Sequence, residues 1–237
     1  MSVTILMFVW NDKTHNGVNK YVISDIHGCY FTLRELLNKI GLSKNDEIYF
    51  LGDYIDRGPN SNEVIDYLIN LKQSGYNLDT LKGNHEEMVF DSLELENWPE
   101  GATETLNSFG IKHFNQLDKK YVRWLHKLQS YSENENYILV HAGLNFNYEN
   151  PLDCTTDMAW IRNWYNSINY DWLKERVIIH GHVPISQSEI EIMLENITKN
   201  QYMNIDNGCF IKDKNGFGNL CCLELTKSTL TFQENID

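Results

Sequence analysis

The feature that most constrains the fold of this chain is a unit that recurs along it. Each unit has a short apolar run of strand type, then a polar loop rich in Gly, His, Asp or Asn, and then a helical pattern. In the first unit the apolar run at 21–23 leads to a polar loop at 25–28, and Leu33, Leu36 and Leu37 follow at helical spacing. Alternating strands and helices are typical of βαβ units with parallel strands, so the sequence predicts an α/β fold.

The same pattern continues along the chain, with one interruption. Apolar runs at 48–51 and 78–81 each lead into a polar loop. Residues 97–135 instead carry large apolar side chains at helical spacing, which predicts a helical insert. Short apolar runs then return, and the last two, at 220–225 and 229–232, lie close enough together to predict a C-terminal β-hairpin.

The length of 237 residues is short for two domains with separate cores, so we expect residues 20–237 to form a single domain. Residues 1–19 begin with an apolar stretch that is followed by polar, turn-prone residues. This pattern predicts either an N-terminal extension or an edge strand. The apolar stretch has no basic segment before it and is too short to span a bilayer, so we expect no export signal.

The net charge and the cysteines of the chain limit which partners and which cellular location we expect for the protein. Acidic residues outnumber basic ones, 33 against 20, and the formal net charge is −13. Such a field repels phosphate backbones and anionic membranes at long range, so we expect neither nucleic acid nor a membrane as a partner. The 5 cysteines form no C-x-x-C pair, which argues against a thiolate zinc site and favours a reducing, cytoplasmic location.

Polar residues follow directly after the predicted strands, where open α/β sheets gather their ligand sites. Two carboxylates, three imidazoles and one amide are expected to meet there: Asp25, His27, Asp53, Asn84, His141 and His182. Nitrogen and oxygen ligands without thiolate suit manganese, iron or zinc better than calcium. Six ligands are too many for one tetrahedral ion with an open position, but they suit two ions that share a carboxylate. The sequence therefore predicts a dinuclear centre bridged by Asp53.

Five short motifs carry a resemblance to a known family. They are Asp25-Ile26-His27-Gly28, Gly52-Asp53-Tyr54-Ile55-Asp56-Arg57-Gly58, Gly83-Asn84-His85-Glu86, His141-Ala142-Gly143 and Gly181-His182. In this order they resemble the signature of the PPP-family serine/threonine protein phosphatases, which are calcineurin-like metallophosphoesterases, and the compact chain is most similar to the bacterial and phage branch. The resemblance implies a central β-sandwich of two mixed sheets flanked by helices, with the helical insert and the C-terminal hairpin added to it.

The resemblance also implies a role for each motif residue. It assigns the first metal to Asp25, His27 and Asp53, and the second to Asp53, Asn84, His141 and His182. It assigns phosphate binding to Arg57, Arg162 and Asn84, and proton donation to the leaving group to His85, which Asp56 would orient. The implied cofactor is a pair of divalent ions, with manganese favoured for activity over iron or zinc, and a metal-bridging hydroxide would attack phosphorus directly.

Three functions compete for this pattern. The leading hypothesis is a protein phosphatase that acts on phosphoserine and phosphothreonine in a phosphorylated protein or peptide. The first alternative is a dinucleoside polyphosphate hydrolase of the same superfamily, and the presence of His27 and of Asp-Arg-Gly at 56–58 argues against it. The second alternative is an inactive metal-bound interaction module. No cysteine is followed six positions later by arginine, and no Gly-Lys dipeptide occurs, so neither a cysteine phosphatase nor a P-loop enzyme is expected. The oligomeric state stays open.

A histidine and three tryptophans near the predicted site have alternative interpretations. His180 lies two residues before His182, so along a strand both side chains point the same way. His180 could therefore be the metal ligand in place of His182, or it could contact the ligand. The resemblance favours His182 as the ligand. Trp160, Trp164 and Trp172 are expected to pack in the core, where large aromatic side chains are mostly buried.

Overall fold

The computed structural model describes residues 17–95 and 102–237. The predicted extension or edge strand at 1–19 lies outside these residues, apart from its last three positions. No helix in the described part of the chain is long and apolar enough to cross a membrane.

Two mixed sheets form the centre of the molecule. Their strands, within the described residues, are β1 (Lys20–Ile23), β2 (Glu47–Phe50), β3 (Asn77–Thr80), β4 (Tyr131–Glu133), β5 (Tyr137–Val140), β6 (Val177–His180), β7 (Tyr202–Asn204), β8 (Asn219–Glu224) and β9 (Thr229–Glu234). The first sheet has the order β3-β2-β1-β8-β9 and the second β4-β5-β6-β7. Strands β1 to β3 are parallel, as are β5 to β7, whereas β4, β8 and β9 join antiparallel. The predicted α/β fold with two mixed sheets and a C-terminal hairpin is confirmed.

Helices connect the parallel strands and flank the sheets. They are α1 (Tyr30–Ile40), α2 (Ser61–Gln73), α3 (Asn84–Leu95), α4 (Ala102–Ser108), α5 (Lys119–Leu125), α6 (Thr155–Trp160), α7 (Tyr170–Leu173), α8 (Gln187–Glu195) and α9 (Ile197–Asn200). The predicted helical insert contains α4 and α5. It ends earlier than expected, because β4 starts at Tyr131 and adds an antiparallel edge to β5. Three residues show too little alternation for the sequence pattern to reveal a strand.

Apolar side chains pack in layers on both faces of each sheet. An inner layer lies between the sheets, since Val22 of β1 shares it with Leu139 of β5 and Ile179 of β6. Ile138 and Ile178, which precede the two latter residues in their strands, belong instead to the outer layer of the second sheet. Successive side chains of a strand point to opposite faces, so a strand that is covered on both sides needs an unbroken apolar run.

The three tryptophans that were expected in the core occupy different environments. Trp164 is 4% exposed, and its indole N–H donates to the Ala142 carbonyl at 3.0 Å. Trp172 packs, partly buried, against the same outer layer. Trp160 is 40% exposed, so the prediction that it lies in the core is wrong. Met158 and Ala159 form the buried side of α6, and an advance of about 100° per residue turns the helix-ending Trp160 away from that side.

The parallel strands of both sheets end at one edge of the sandwich. After β1 and β2, the Ile26 N–H donates to the Asp53 carbonyl at 3.0 Å. After β5 and β6, the Gly181 N–H donates to the His141 carbonyl at 2.8 Å. The His141 ring in turn reaches the Leu51 carbonyl at the end of β2, at 3.1 Å. The polar loops of the two sheets therefore meet, as the sequence pattern predicts.

Gly143 lets the main chain pass directly beside the Trp164 indole. A Cβ atom at this position would overlap the indole ring. We therefore predict that Gly143→Ala lowers the free energy of unfolding by roughly 1–3 kcal/mol, because the buried ring must shift. Denaturant unfolding followed by tryptophan fluorescence measures this change. Gly75→Ala is the control, because its φ of +88° is also positive but nothing lies within 4 Å of an added Cβ. Equal losses in the two variants would contradict a role for the contact with Trp164.

Candidate metal centre

Several predicted site residues have left-handed backbone conformations. The φ angles are 47° at His27, 49° at Asp53, 67° at Asp56, 71° at Arg57 and 74° at His182. Such angles are uncommon outside glycine and persist only where the surrounding structure enforces them, which happens most often at functional sites. The loops enforce one another here: the His27 N–H donates to the Asp53 carbonyl at 2.8 Å, and the Gly58 N–H donates to the His27 carbonyl at 3.0 Å.

The Asp53 carboxylate lies at the point where the polar loops of the two sheets meet. It is buried, and its Oδ2 is 3.5 Å from His27 Nε2 and 3.5 Å from His141 Nε2. Ligand atoms of Asp53, His141 and His182 lie within 4.8 Å of one another, and so do those of Asp53, His27 and His85. Asp53 thus belongs to two adjoining groups of donor atoms, which is the arrangement expected of a bridging ligand.

Main-chain carbonyls set the tautomer of two imidazoles. The Nδ1–H of His27 donates to the Ile55 carbonyl at 2.8 Å, and that of His141 donates to the Leu51 carbonyl at 3.1 Å, because a carbonyl can only accept. In the neutral ring Nε2 then carries the lone pair, and in both residues Nε2 is the atom that faces Asp53. Burial lowers the pKa of His27 and of His141 well below the usual value, and nearby imidazoles add to this effect. Both rings are therefore neutral and ready to bind a metal.

Asn84, the first residue of α3, faces the second group. Its Oδ1 is 3.0 Å from His141 Nε2 and 2.9 Å from His182 Nδ1. Since His141 Nε2 carries a lone pair, its contact with Oδ1 places two acceptors together without a proton between them. His182 Nε2 is buried and has no hydrogen-bond partner. Burial and the charge of Arg162 lower the pKa of His182 to about 4, and the main chain of Trp160 opposes this shift only in part.

Buried carboxylates crowd around the same point. Asp25 accepts the His182 N–H with both oxygens, at 3.0 and 3.3 Å, and falls outside the two groups of donor atoms identified in the described residues. Burial, followed by the charges of Asp206 and Asp53, raises the pKa of Asp25 well above its usual value. Burial also raises the pKa of Asp53 to about 8 and that of Asp206 to about 7. Asp206 was missed as a site residue, although it follows β7 just as the predicted ligands follow their strands.

A pair of cations fits this donor set. The lone pairs of His27 and His141 face carboxylate and amide oxygens at 3.0–3.5 Å, and a cation among these acceptors would bind all of them. The same charge would remove the repulsion among the buried carboxylates. The two donor groups contain nitrogen and oxygen atoms without sulfur, which suits manganese, iron or zinc.

Glu86 fixes the Asp53 loop from behind the site. This fully buried carboxylate accepts the Asp53 and Gly83 N–H groups with Oε2, both at 2.9 Å, and the Tyr54 N–H with Oε1 at 2.8 Å. Gly83 is needed there because a Cβ would overlap the Asp53 carboxylate. Glu86 therefore holds together the loops that follow β2 and β3.

His85 and Asp56 form a buried pair, as the sequence analysis expects. His85 Nδ1 lies 2.6 Å from Asp56 Oδ2, and the Thr105 hydroxyl donates to Asp56 Oδ1 at 2.5 Å. Burial by itself would lower the pKa of His85, but the charges of Asp53 and Asp56 and the Asp56 hydrogen bond raise it overall. His85 can therefore hold a proton beside Asp53. Thr105 of α4 carries no motif around it, and only its tertiary contact identifies it.

A cleft of about 320 Å³ opens over these residues. The predicted phosphate-binding residues Arg57 and Arg162 are both exposed and line it. Met88, Pro184 and Phe210 also line it and were missed, because apolar residues in loops or on helices carry no chemical signature in a sequence. The Arg57 guanidinium lies 5.2 Å from the centroid of the Phe210 ring.

His180 makes its hydrogen bonds to residues outside the two donor groups. Its Nε2 lies 2.7 Å from the Tyr165 hydroxyl and its Nδ1 lies 3.0 Å from the Gly181 carbonyl. Both ring nitrogens therefore have partners, whereas His182 Nε2 has none. Of the two histidines that the sequence left open, the geometry places His182 beside Asp53.

Comparison with known protein families matches residues 20–207 to the calcineurin-like phosphoesterases. The chain is 28% identical over 224 residues to the asymmetrical bis(5'-nucleosyl)-tetraphosphatase PrpE of Oceanobacillus iheyensis, an alignment that covers 81% of this chain and 85% of that protein. It is 32% identical over 133 residues to the symmetrical bis(5'-nucleosyl)-tetraphosphatase of Wigglesworthia glossinidia brevipalpis. That alignment covers 54% of this chain and 45% of the relative, so the chain matches less than half the length of this symmetrical enzyme.

Among solved structures, the chain resembles a protein serine/threonine phosphatase from Saccharomyces cerevisiae. The TM-score is 0.68 at 18% identity, and the match covers 96% of this chain and 82% of that one. At this identity the likeness supports the shared fold alone.

Chelation of divalent ions should make the stability of the protein depend on pH. Above pH 7 an ordinary histidine is mostly neutral, so each buried neutral imidazole takes up only a small fraction of a proton on unfolding. Asp53 and Asp206 have raised pKa values and bind more protons in the folded chain, so stability falls as the pH rises from 7 to about 8. We expect the thermal midpoint of the chelated protein to fall by roughly 2 °C or more over this range.

Added Mn²⁺ should abolish this fall, because the cations replace the protons. Asp206→Asn should flatten it in the chelated protein, because one of the raised carboxyl groups is gone. Scanning calorimetry measures the midpoints. A midpoint that stays constant from pH 7 to 8 after chelation would contradict the buried charge cluster.

Proposed function

Since the chain belongs to the calcineurin-like phosphoesterases, we propose that it hydrolyses a phosphate ester or anhydride with two divalent cations held around Asp53, and that its substrate is a dinucleoside tetraphosphate. One observation carries the first part: Asp53 Oδ2 lies 3.5 Å from Nε2 of His27 in one proposed ligand group and 3.5 Å from Nε2 of His141 in the other. The second part is supported by the relatives, whose names specify this substrate, and above all by the Oceanobacillus protein, which is matched over most of its length.

The loops at the sheet edge would hold the cations. Asp25, His27 and Asp53 would bind one, and Asp53, Asn84, His141 and His182 the other. Bound cations supply positive charge that activates water as a nucleophile and neutralises the phosphoryl oxygens. The donor set accommodates iron or zinc, and we propose manganese as the activating metal.

Arg57 and Arg162 would bind the phosphoryl oxygens. Both line the cleft, and a guanidinium can donate two parallel hydrogen bonds to a phosphate group. Their local charge matters because the net charge of −13 repels an anionic substrate at long range. The Phe210 ring beneath Arg57 supports the guanidinium from one side.

His85 would donate its proton to the leaving oxygen as the bond between phosphorus and that oxygen breaks. Asp56 orients the ring through Nδ1, which leaves Nε2–H as the donor, and it stabilises the protonated state. An alkoxide leaving group needs this proton, whereas a nucleotide phosphate leaves readily without it. The His85–Asp56 pair is therefore the observation that favours a second candidate substrate, a phosphoserine or phosphothreonine protein.

The two candidate substrates differ in what the sequence analysis and the comparisons favour. His27 and the Asp-Arg-Gly at 56–58 argue against a dinucleoside polyphosphate hydrolase, yet the curated relatives are named as bis(5'-nucleosyl)-tetraphosphatases. We therefore place diadenosine tetraphosphate ahead of the phosphopeptide.

With Mn²⁺, we expect kcat/KM for diadenosine tetraphosphate to exceed that for a phosphoserine peptide at least tenfold. Chromatography of the products distinguishes asymmetrical cleavage, which gives ATP and AMP, from symmetrical cleavage, which gives two ADP. Chelation and Asp53→Asn should each abolish turnover of both substrates, because the shared ligand is lost. A preference for the peptide would reverse the order of the two candidates, and turnover that survives both treatments would refute the dinuclear mechanism.

His85→Ala should reduce turnover in proportion to the leaving group's need for a proton. We expect a loss of roughly 10²–10⁴-fold on the phosphoserine peptide. On p-nitrophenyl phosphate, whose leaving group departs as an anion, we expect a much smaller loss. Steady-state rates on the two substrates give the comparison, and His113→Ala is the control because that histidine lies away from the cleft lining. Equal losses on both substrates would remove His85 from the role of acid.

A further inference from the structure

Trp160 places an exposed indole beside the cleft. It ends α6, and Arg162, which lines the cleft, follows two residues later. Its ring is hydrogen-bonded to Glu87, and the next residue on α3, Met88, lines the cleft. The indole therefore lies at the rim, where the end of α6 meets the start of α3.

The ring is held in place by its single polar atom. Nε1–H of Trp160 donates to Glu87 Oε2 at 2.8 Å, and Glu87 Oε1 pairs with Lys82 Nζ at 3.2 Å. This satisfies the only donor of the indole and leaves the residue 40% exposed. A large aromatic surface that is already immobilised loses little conformational entropy when a ligand stacks on it.

The size of the cleft decides where the rest of the proposed substrate must lie. Its volume of about 320 Å³ is at the low end for ligand pockets. Its lining includes most of the proposed metal ligands and both arginines, a set of residues that suits the phosphate chain. A dinucleoside tetraphosphate carries a nucleoside at each end of that chain, so at least one base must lie outside the cleft.

We propose that Trp160 is a specificity-determining residue that stacks on a nucleobase of the substrate while the phosphate chain occupies the cleft. This inference rests on the proposed function and adds to it the group that recognises the base. Stacking depends on the flat π face that every base has, so adenine and guanine nucleotides should be bound alike.

Inhibition of p-nitrophenyl phosphate hydrolysis by ADP and by pyrophosphate tests the proposal. The two inhibitors share a diphosphate, and only ADP carries a base. In the Mn²⁺-loaded enzyme, Trp160→Ala should raise the ratio of the ADP inhibition constant to the pyrophosphate constant by roughly 5- to 150-fold. Trp160→Phe should restore most of the difference. Tyr170→Ala, which removes an aromatic residue of 47% exposure on α7, should leave the ratio unchanged.

The outcomes separate this inference from the proposed function. If Trp160→Ala leaves the ratio of the two inhibition constants unchanged, the stacking role is refuted. This holds whether or not both inhibitors bind more weakly, and even if diadenosine tetraphosphate is the preferred substrate. If the wild type fails to hydrolyse diadenosine tetraphosphate but its ADP inhibition depends selectively on Trp160, the proposed substrate fails while the base-stacking site is supported.

Discussion

Repulsion among buried carboxylates around Asp53 is the constraint on which the rest of the structure depends. Asp25, Asp53 and Asp206 are all buried, and burial raises the pKa of each. The charge of Asp206 adds to this rise at Asp25 and at Asp53. The neighbouring imidazoles present lone pairs instead of protons, because main-chain carbonyls already take their Nδ1–H groups. Such a cluster is unfavourable by itself and becomes favourable when cations occupy it. The fold must therefore hold these groups together rigidly.

The sandwich provides this rigidity by joining two sheets at one edge. The first sheet contributes His27, Asp53 and Asn84 from the loops after β1, β2 and the neighbouring β3, and the second contributes His141 and His182 from the loops after β5 and β6. Asp53 bridges the two contributions, so the centre also ties the sheets together. Strained φ angles at several of these residues are maintained by the hydrogen bonds that run between the loops.

The chemistry of the centre and the choice of substrate are set by different parts of the molecule. Buried donors, the two arginines and the His85–Asp56 pair would serve any phosphate ester or anhydride. A nucleotide and a phosphopeptide differ in the group attached to the phosphate, and the proposed stacking residue for that group lies outside the cleft lining. The rim there carries Trp160, a side chain that we expected in the core and that the structure leaves open to solvent.

The sequence by itself determined the class of fold and the donor set. Apolar runs with polar loops at their carboxyl ends indicate parallel strands, and parallel strands place such loops at one edge. Asp25, His27, Asp53, Asn84, His141 and His182 could thus be named from local pattern and motif resemblance, as could His85 with Asp56. Only the tertiary structure decided that Asp206 lies among the buried carboxylates and that Glu86 holds the Asp53 loop. It also decided that Thr105 donates a hydrogen bond to Asp56 and that His180 is hydrogen-bonded to Tyr165. The exposure of Trp160 likewise followed only from the tertiary structure. Each of these facts depends on a contact between residues far apart in the chain or on which side of an element faces solvent, and neither is encoded in the spacing of neighbouring residues.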